Sequence, residues 1–190
     1  VIITILMAEA ATVQGLQSHF AVSHSVTMPI SPLSENAEGG FLNGQIGYRL
    51  SVANNLQAEV SVGYHDFGKK SATTFVDVEE YDSDLAFLPI LVGVKFFLRN
   101  RVDGGTRLFA DANIGYYLPA GDMDRGGVGV SPGIGLQVPI EGTNIRFEFS
   151  LDHNEILGGK TKAFRLSQGY TFTDYALIPY LTASIGLVVE

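Results

Sequence analysis

Asp152 and His153 stand side by side in "SLDHNEI". A carboxylate beside an imidazole can orient a general base, and hydrolysis by that route needs a hydroxyl nucleophile within reach of the ring. Position 155 is Glu155, and the segment offers no nucleophile at a compatible position. His153 therefore reads as a side chain at the aqueous end of a strand. His19 and His24 are five positions apart, which sends them to opposite faces of a strand, and His65 opens a polar stretch. No His/Asp/Glu grouping has the spacing of a transition-metal site, and "RGGVGVSPGIG" lacks the strand-loop-helix setting of a phosphate-binding loop. Two acidic sets remain. Asp77, Glu79, Glu80, Asp82 and Asp84 crowd one polar segment, and Asp122 and Asp124 another. They read first as solvated loops and, as candidate partner loops, as carboxylates that hard divalent cations could bridge. The last set consists of isolated charges inside apolar segments, with Arg49, Lys95, Arg107 and Arg146 balanced by Glu59, Asp111, Glu148 and Asp152. Four of each sign would make an ion-paired interior charge network if one enclosure held them.

The elements that must position those charges are strands. In "TRLFADANIGYYLP" every second residue from Arg107 reads Arg, Phe, Asp, Asn, Gly, Tyr, and from Leu108 it reads Leu, Ala, Ala, Ile, Tyr, Leu. One face is polar and the other apolar, the period-two signature of a long β-strand. The same two-sided pattern recurs in "FLNGQIGYRLSV", "LQAEVSVGY", "GVGVSPGIGLQVPI" and "NIRFEFSLD", while "GLQSHFAVSHSVTMPI", "DLAFLPILVGVKFFL" and "YALIPYLTASIGLVV" complete a set of eight. Connections at Ser51–Asn55, Arg99–Thr106 and Glu141–Thr143 are short. Those at Ser31–Gly40, His65–Ser83, Ala120–Gly126 and Asn154–Asp174 are mostly longer and polar. In an up-and-down meander, alternation of this kind puts tight turns at one end and long loops at the other.

Alternation alone leaves open which face is outside. A lipocalin-like soluble barrel encloses its apolar face around a ligand, and a membrane barrel turns that face to lipid. Strand length favours the second, because the segments match the roughly 9–11 residues a tilted strand needs to cross a bilayer. The polar faces are built from Gly, Ser, Asn and Gln rather than the dense Lys and Glu of a wetted surface. Turning the four basic residues to lipid would cost about 2–4 kcal/mol each near the midplane. The charged face is therefore expected inside, with the glycine-rich face from Gly129 to Gly135 leaving room for the long side chains of Arg107/Asp111 and Arg146/Glu148 to meet. Arg146→Ala should then deprive Glu148, Glu59 or another interior carboxylate of its partner. Pro89, Pro132 and Pro179 are expected near one rim, where a lost ladder hydrogen bond is tolerated. Phe41, Tyr64, Tyr116, Tyr117 and Tyr175 suggest an aromatic girdle at that end.

The 190 residues suit one domain, with residues 15–190 as the barrel and residues 1–14 as an N-terminal extension or signal-peptide remnant, since Ala8-Glu9-Ala10 follows a short apolar run. There is no cysteine for a disulfide or thiolate site, and a net charge of −8 argues against nucleic acid as a partner.

Segments such as "LPILVGVKFFL", "LFADANIGYY" and "GVGVSPGIGLQV" resemble the Gly-aromatic strand phrases of the small outer-membrane β-barrels of OmpA/OmpX type. That resemblance covers roughly Gly15 to Val189. It departs from the pattern in ending "SIGLVVE" without a terminal aromatic residue and in having no Trp. It implies an all-β, eight-stranded antiparallel up-and-down transmembrane barrel in a bacterial outer membrane, with a side-chain-filled interior. The implied role is structural, adhesive or accessory, without enzymatic activity or cofactor, and with at most a narrow conductance. The implied partners are outer-membrane lipid and lipopolysaccharide, whose phosphates the acidic loops could meet through divalent cations, and other outer-membrane or periplasmic proteins. Two alternatives stand beside this reading: a lipocalin-like binder of an apolar ligand, and a lipid A-modifying enzyme. Lipid A deacylases of the barrel type place Ser two positions after their His, where this chain has Glu155.

Overall fold

The computed structural model describes residues 17–31, 39–69, 84–98, 105–165 and 169–190. The strands in chain order are β1 (Ser18–Pro29), β2 (Gly40–Ala53), β3 (Leu56–Lys69), β4 (Asp84–Phe97), β5 (Arg107–Gly121), β6 (Met123–Arg125), β7 (Gly127–Pro139), β8 (Ile145–Arg165) and β9 (Gly169–Val189). Every pairing is antiparallel. β1 binds β2 on one side (Val22 opposite Ile46) and β9 on the other (Val22 opposite Leu187), so the sheet closes on itself. Eight long strands form the wall, and the three-residue β6 adds to the edge of β8. Closure removes the unpaired edges that an open sheet would expose.

Period-two alternation decides which side chains face the lumen. On β5 the residues Arg107, Phe109 and Tyr117 are buried, while Leu108, Ile114, Tyr116 and Leu118 face out. The same sorting around the barrel leaves an outer wall of Ile46, Val62, Val92, Ile134, Phe149, Ile185 and their like. The arrangement with an apolar interior, which a lipocalin-like binder requires, is thus reversed. Tight turns close one end: Asn54–Asn55 joins β2 to β3, and Glu141-Gly142 joins β7 to β8 with Gly142 at φ 75°, a conformation that L side chains rarely adopt.

Several boundaries differ from the sequence reading. His65 does not open a loop, because β3 runs on through Lys69 and its register with β4 continues to Lys69 opposite Asp84. The stretch Asn154–Asp174 is no loop either. It belongs to a long hairpin in which β8 and β9 pair from Ile145 opposite Val189 to Arg165 opposite Gly169. β1 follows β9 only as far as Pro29 opposite Tyr180, so the far part of the hairpin rises beyond the closed barrel. Pro132 lies within the wall rather than at a rim. It sits opposite Ala112, and the β7–β8 ladder breaks beside it, stopping at Val130–Glu155 and resuming at Gly133–Asp152. A missing N–H accounts for the break. Residues 1–14, most of the Ser31–Gly40 connection, residues 99–104, and Asp77, Glu79, Glu80 and Asp82 lie outside the described residues.

Candidate functional site

Among the described residues the charged side chains and the enclosed polar groups come together in the lumen, which is organised in three tiers. In the middle tier, Glu148 of β8 is the hub. Arg49 of β2 reaches across the lumen to it with two donors, Nη1 to Oε2 at 2.6 Å and Nη2 to Oε1 at 2.8 Å. Lys95 Nζ donates to Oε1 at 2.8 Å and Gln137 Nε2 to Oε2 at 2.6 Å. Arg49 Nε also donates to Glu59 Oε2 at 2.7 Å, and Lys95 Nζ stands 3.5 Å from Asp111 Oδ2. β2 and β8 are not neighbours in the sheet, so the bidentate Arg49–Glu148 pair ties opposite walls together.

Arg107 and Arg146 do not join that hub. They lie at the turn end, where Arg107 Nη1 is 3.3 Å and Arg146 Nε 3.0 Å from Glu190 Oε1, and Arg146 Nη1 donates to the Gly105 carbonyl at 3.1 Å. Glu190 was not among the residues singled out from the sequence. Asp152 has neither arginine as partner and accepts from Ser150 Oγ at 2.9 Å. The glycines on β7 make room for Asp111, as expected, but with Asp152 and Phe109 beside it rather than Arg107, Arg146 and Glu148. A Cβ on Gly133 would collide with the Oδ1 atoms of Asp111 and Asp152, and one on Gly135 with the Phe109 ring. Phe109 lies under Lys95, whose Nζ is 3.7 Å from the ring centroid, and packs edge-on against Phe97 at 6.0 Å.

The third tier, at the loop end, is aromatic and was missed. Phe67, Phe87, Tyr117 and Tyr180 form a closed cycle of four edge-to-face contacts with centroids 4.8–6.4 Å apart, all four fully buried. Leu85, Leu91, Met123, Ile156 and Ile178 complete the cluster. Each hydroxyl in the cycle has a polar partner below it: His65 Nδ1 is 2.8 Å from Tyr180 Oη, and Tyr117 Oη donates to Asn154 Oδ1 at 3.0 Å. Tyr117 thus belongs to this cap and not to an outer girdle, whereas Phe41, Tyr64 and Tyr116 do face out; the Tyr175 side chain lies outside the description. Between cap and hub is a cavity of about 40 Å³ lined by Ser23, Gln45, Asn113, Ser131, Asp152 and Thr182, among others.

His153 is on the outer wall with Glu155, 3.0 Å away. Leu181 lies opposite it on β9, and Glu155 faces Val130 and Pro179. His19 is buried against Ser51 Oγ at 3.0 Å, and His24 faces outward. Among the described residues no three His, Asp or Glu side chains converge on a point where they could hold a metal. Of the acidic loop residues, Asp122 stands in the β5–β6 turn and Asp124 is exposed on β6.

The turn-end pair allows a graded test. Arg146→Ala leaves Glu190 still facing Arg107 and leaves the Glu148 hub whole, so the expected cost is about 1–2 kcal/mol, the worth of charge-assisted hydrogen bonds. Urea midpoints of the detergent-folded protein measure it. A loss as large as that of a hub variant would mean that Arg146 pairs with Glu148 after all.

Comparison with solved structures bears on the fold. No family model matches the chain, and no curated protein matches it in sequence. The structure superposes on Neisserial surface protein A with a TM-score of 0.64 at 10% identity, covering 93% of this chain and 99% of that one. The fold is that of the small outer-membrane β-barrels. Outer membrane protein OprG from Pseudomonas aeruginosa gives 0.59 at 12% identity over 92% of this chain and 93% of its own. The outer membrane protein AlkL, determined in lipid bilayers, gives 0.54 at 11% identity over 91% and 90%.

Proposed function

We propose that this chain is an integral protein of a bacterial outer membrane that acts without enzymatic chemistry, as a filled-barrel anchor whose structural, adhesive or accessory role is exercised by what it displays at the loop end. The observation that carries the reading is the outer wall. Thirty large apolar side chains among the described residues are exposed, running around the whole circumference. A monomeric soluble protein rarely exposes more than a few hundred Å² of contiguous apolar surface, and a bilayer is the solvent that such a belt fits. AlkL, a neighbour in fold, was determined in lipid bilayers, in keeping with this reading.

The interior supports the filled-barrel part. An aromatic cap, a charged hub and the Phe97/Phe109/Arg107 tier fill the lumen with side chains at successive heights. The β8–β9 hairpin rises past the end of β1 and carries β6, with Asp124 exposed, on its edge; this is the surface the reading offers to lipopolysaccharide or to a protein partner. The test is fractionation together with conductance. The full chain, expressed in a Gram-negative host, is expected in the outer-membrane fraction, and the purified protein is expected to give no steady conductance in a planar bilayer. Recovery in the soluble fraction would overturn the membrane reading, and a steady ohmic current would overturn the filled lumen.

A further inference from the structure

The balance of charges is broken in space. The groups around the central cavity are Arg49 and Lys95 against Glu59, Asp111, Glu148 and Asp152, two positive charges facing four negative ones. The remaining cations, Arg107 and Arg146, are committed at the turn end to Glu190. Glu59 and Glu148 are bonded to Arg49 and Lys95 in the hub. Asp111 has only the longer 3.5 Å contact of its Oδ2 with the Lys95 Nζ that Glu148 already holds, which leaves Asp111 and Asp152 the least compensated pair. Their Oδ1 atoms converge on one point above Gly133, the space a Cβ would have filled. Asp111 Oδ1 has no hydrogen-bond partner, although the side chain is only 7% exposed. Asp152 gives only Oδ2 to Ser150. Two carboxylate oxygens directed at the same point repel strongly in a low-dielectric lumen.

We infer that Asp111 and Asp152 hold a hard divalent cation, with calcium the best match, inside the lumen beside Gly133. The donor chemistry fits. Both carboxylates offer a free oxygen, Ser131 and Asn113 line the same cavity with neutral oxygens, and about 40 Å³ gives room for roughly three further waters or one ion with its remaining waters. Such an ion neutralises the two excess charges without a third carboxylate. Oxygen donors from Asp111, Asp152, Ser131 and Asn113 favour a hard ion over softer transition metals. Gly133 then has a specific role: a side chain at that position would occupy the site. This inference rests on the lumen alone and stands apart from the membrane reading.

The experiment uses the full chain refolded from urea into detergent at fixed ionic strength, with EDTA or with calcium chloride present during refolding, since the cap and the turn-end tier shield the cavity once it has formed. Thermal unfolding is followed for the wild type, Asp111→Asn, Asp152→Asn, and Asp122→Asn/Asp124→Asn, and bound calcium is counted by native mass spectrometry. At a hundredfold excess over Kd, calcium is expected to raise the wild-type Tm by about 5–10 °C with one ion bound. Both lumen variants lose that shift, and the loop variant keeps it. The inference is overturned if the wild type refolds with no calcium-dependent shift and no bound ion, in which case a proton shared between the two carboxylates replaces it. It is equally overturned if Asp111→Asn and Asp152→Asn keep the full shift, which would place the calcium on the surface.

Discussion

Glu148→Ala is expected to cost the folded barrel about 3 kcal/mol, the largest loss of any single lumen substitution. Four hydrogen bonds end on this one carboxylate, two from Arg49 and one each from Lys95 and Gln137. Removing it leaves Arg49 with Glu59 alone and Lys95 with the longer contact to Asp111. Both cations are nearly fully buried, so water cannot take over. Glu59→Ala should cost less, because Arg49 keeps its bidentate partner. A second substitution sharpens the test: Lys95→Met added to Glu148→Ala removes a stranded cation and should recover part of the loss, whereas independent sites would add. Urea midpoints of the vesicle-folded protein measure all three variants. Equal losses for Glu59→Ala and Glu148→Ala would show that Glu148 is not the hub.

Val92→Arg, at the middle of β4 on the outer wall, is the second large effect. Val92 is 54% exposed, so in water the change would be worth no more than about 0.5 kcal/mol. Against hydrocarbon near the bilayer midplane it is expected to cost about 2–4 kcal/mol, and Val52→Arg at the turn end of β2 only about 0–1 kcal/mol. The depth dependence is the diagnostic. Refolding into vesicles, followed by the fraction that migrates as folded protein without boiling, should show Val92→Arg strongly reduced and Val52→Arg close to wild type. Equal behaviour of the two would mean that the outer wall meets water.

How much of this was legible in the sequence can be judged from single strands. On β5 the alternation from Arg107 already placed Phe109, Asp111, Asn113 and Tyr117 on one face, and the lumen holds them all. Tyr117 was still assigned to a girdle, because an aromatic residue next to Tyr116 looks like an interface anchor until the face is counted strictly. The pairing of charges was less accessible. Arg49 and Glu148 are 99 residues apart and meet because the stagger of the closed barrel brings them to one height, a quantity that no local pattern carries. Adjacent ladders set the other two meetings: Ile145 opposite Val189 brings Arg146 beside Glu190, and Gly133 pairs with Asp111 on one side and Asp152 on the other. Counting four charges of each sign was correct as a sum and uninformative about place. The long hairpin was misread for a local reason: Gly158-Gly159 followed by Lys160 looks like a loop, yet Gly158 takes φ 75° as a kink within β8 and the ladder to β9 resumes at Gly159 opposite Tyr175. Pro132 misled through the assumption that a proline must sit at a rim. The wall tolerates it by giving up two pairs of the β7–β8 ladder.

The central claim is that the apolar wall faces lipid and the charged residues face inward, and sedimentation tests it most directly. The folded protein is centrifuged in detergent and again after detergent removal, with folding monitored in both. The account predicts a monodisperse species in detergent and aggregation without it, recoverable by adding lipid. A protein that stays folded, monodisperse and of unchanged sedimentation coefficient without detergent would contradict it.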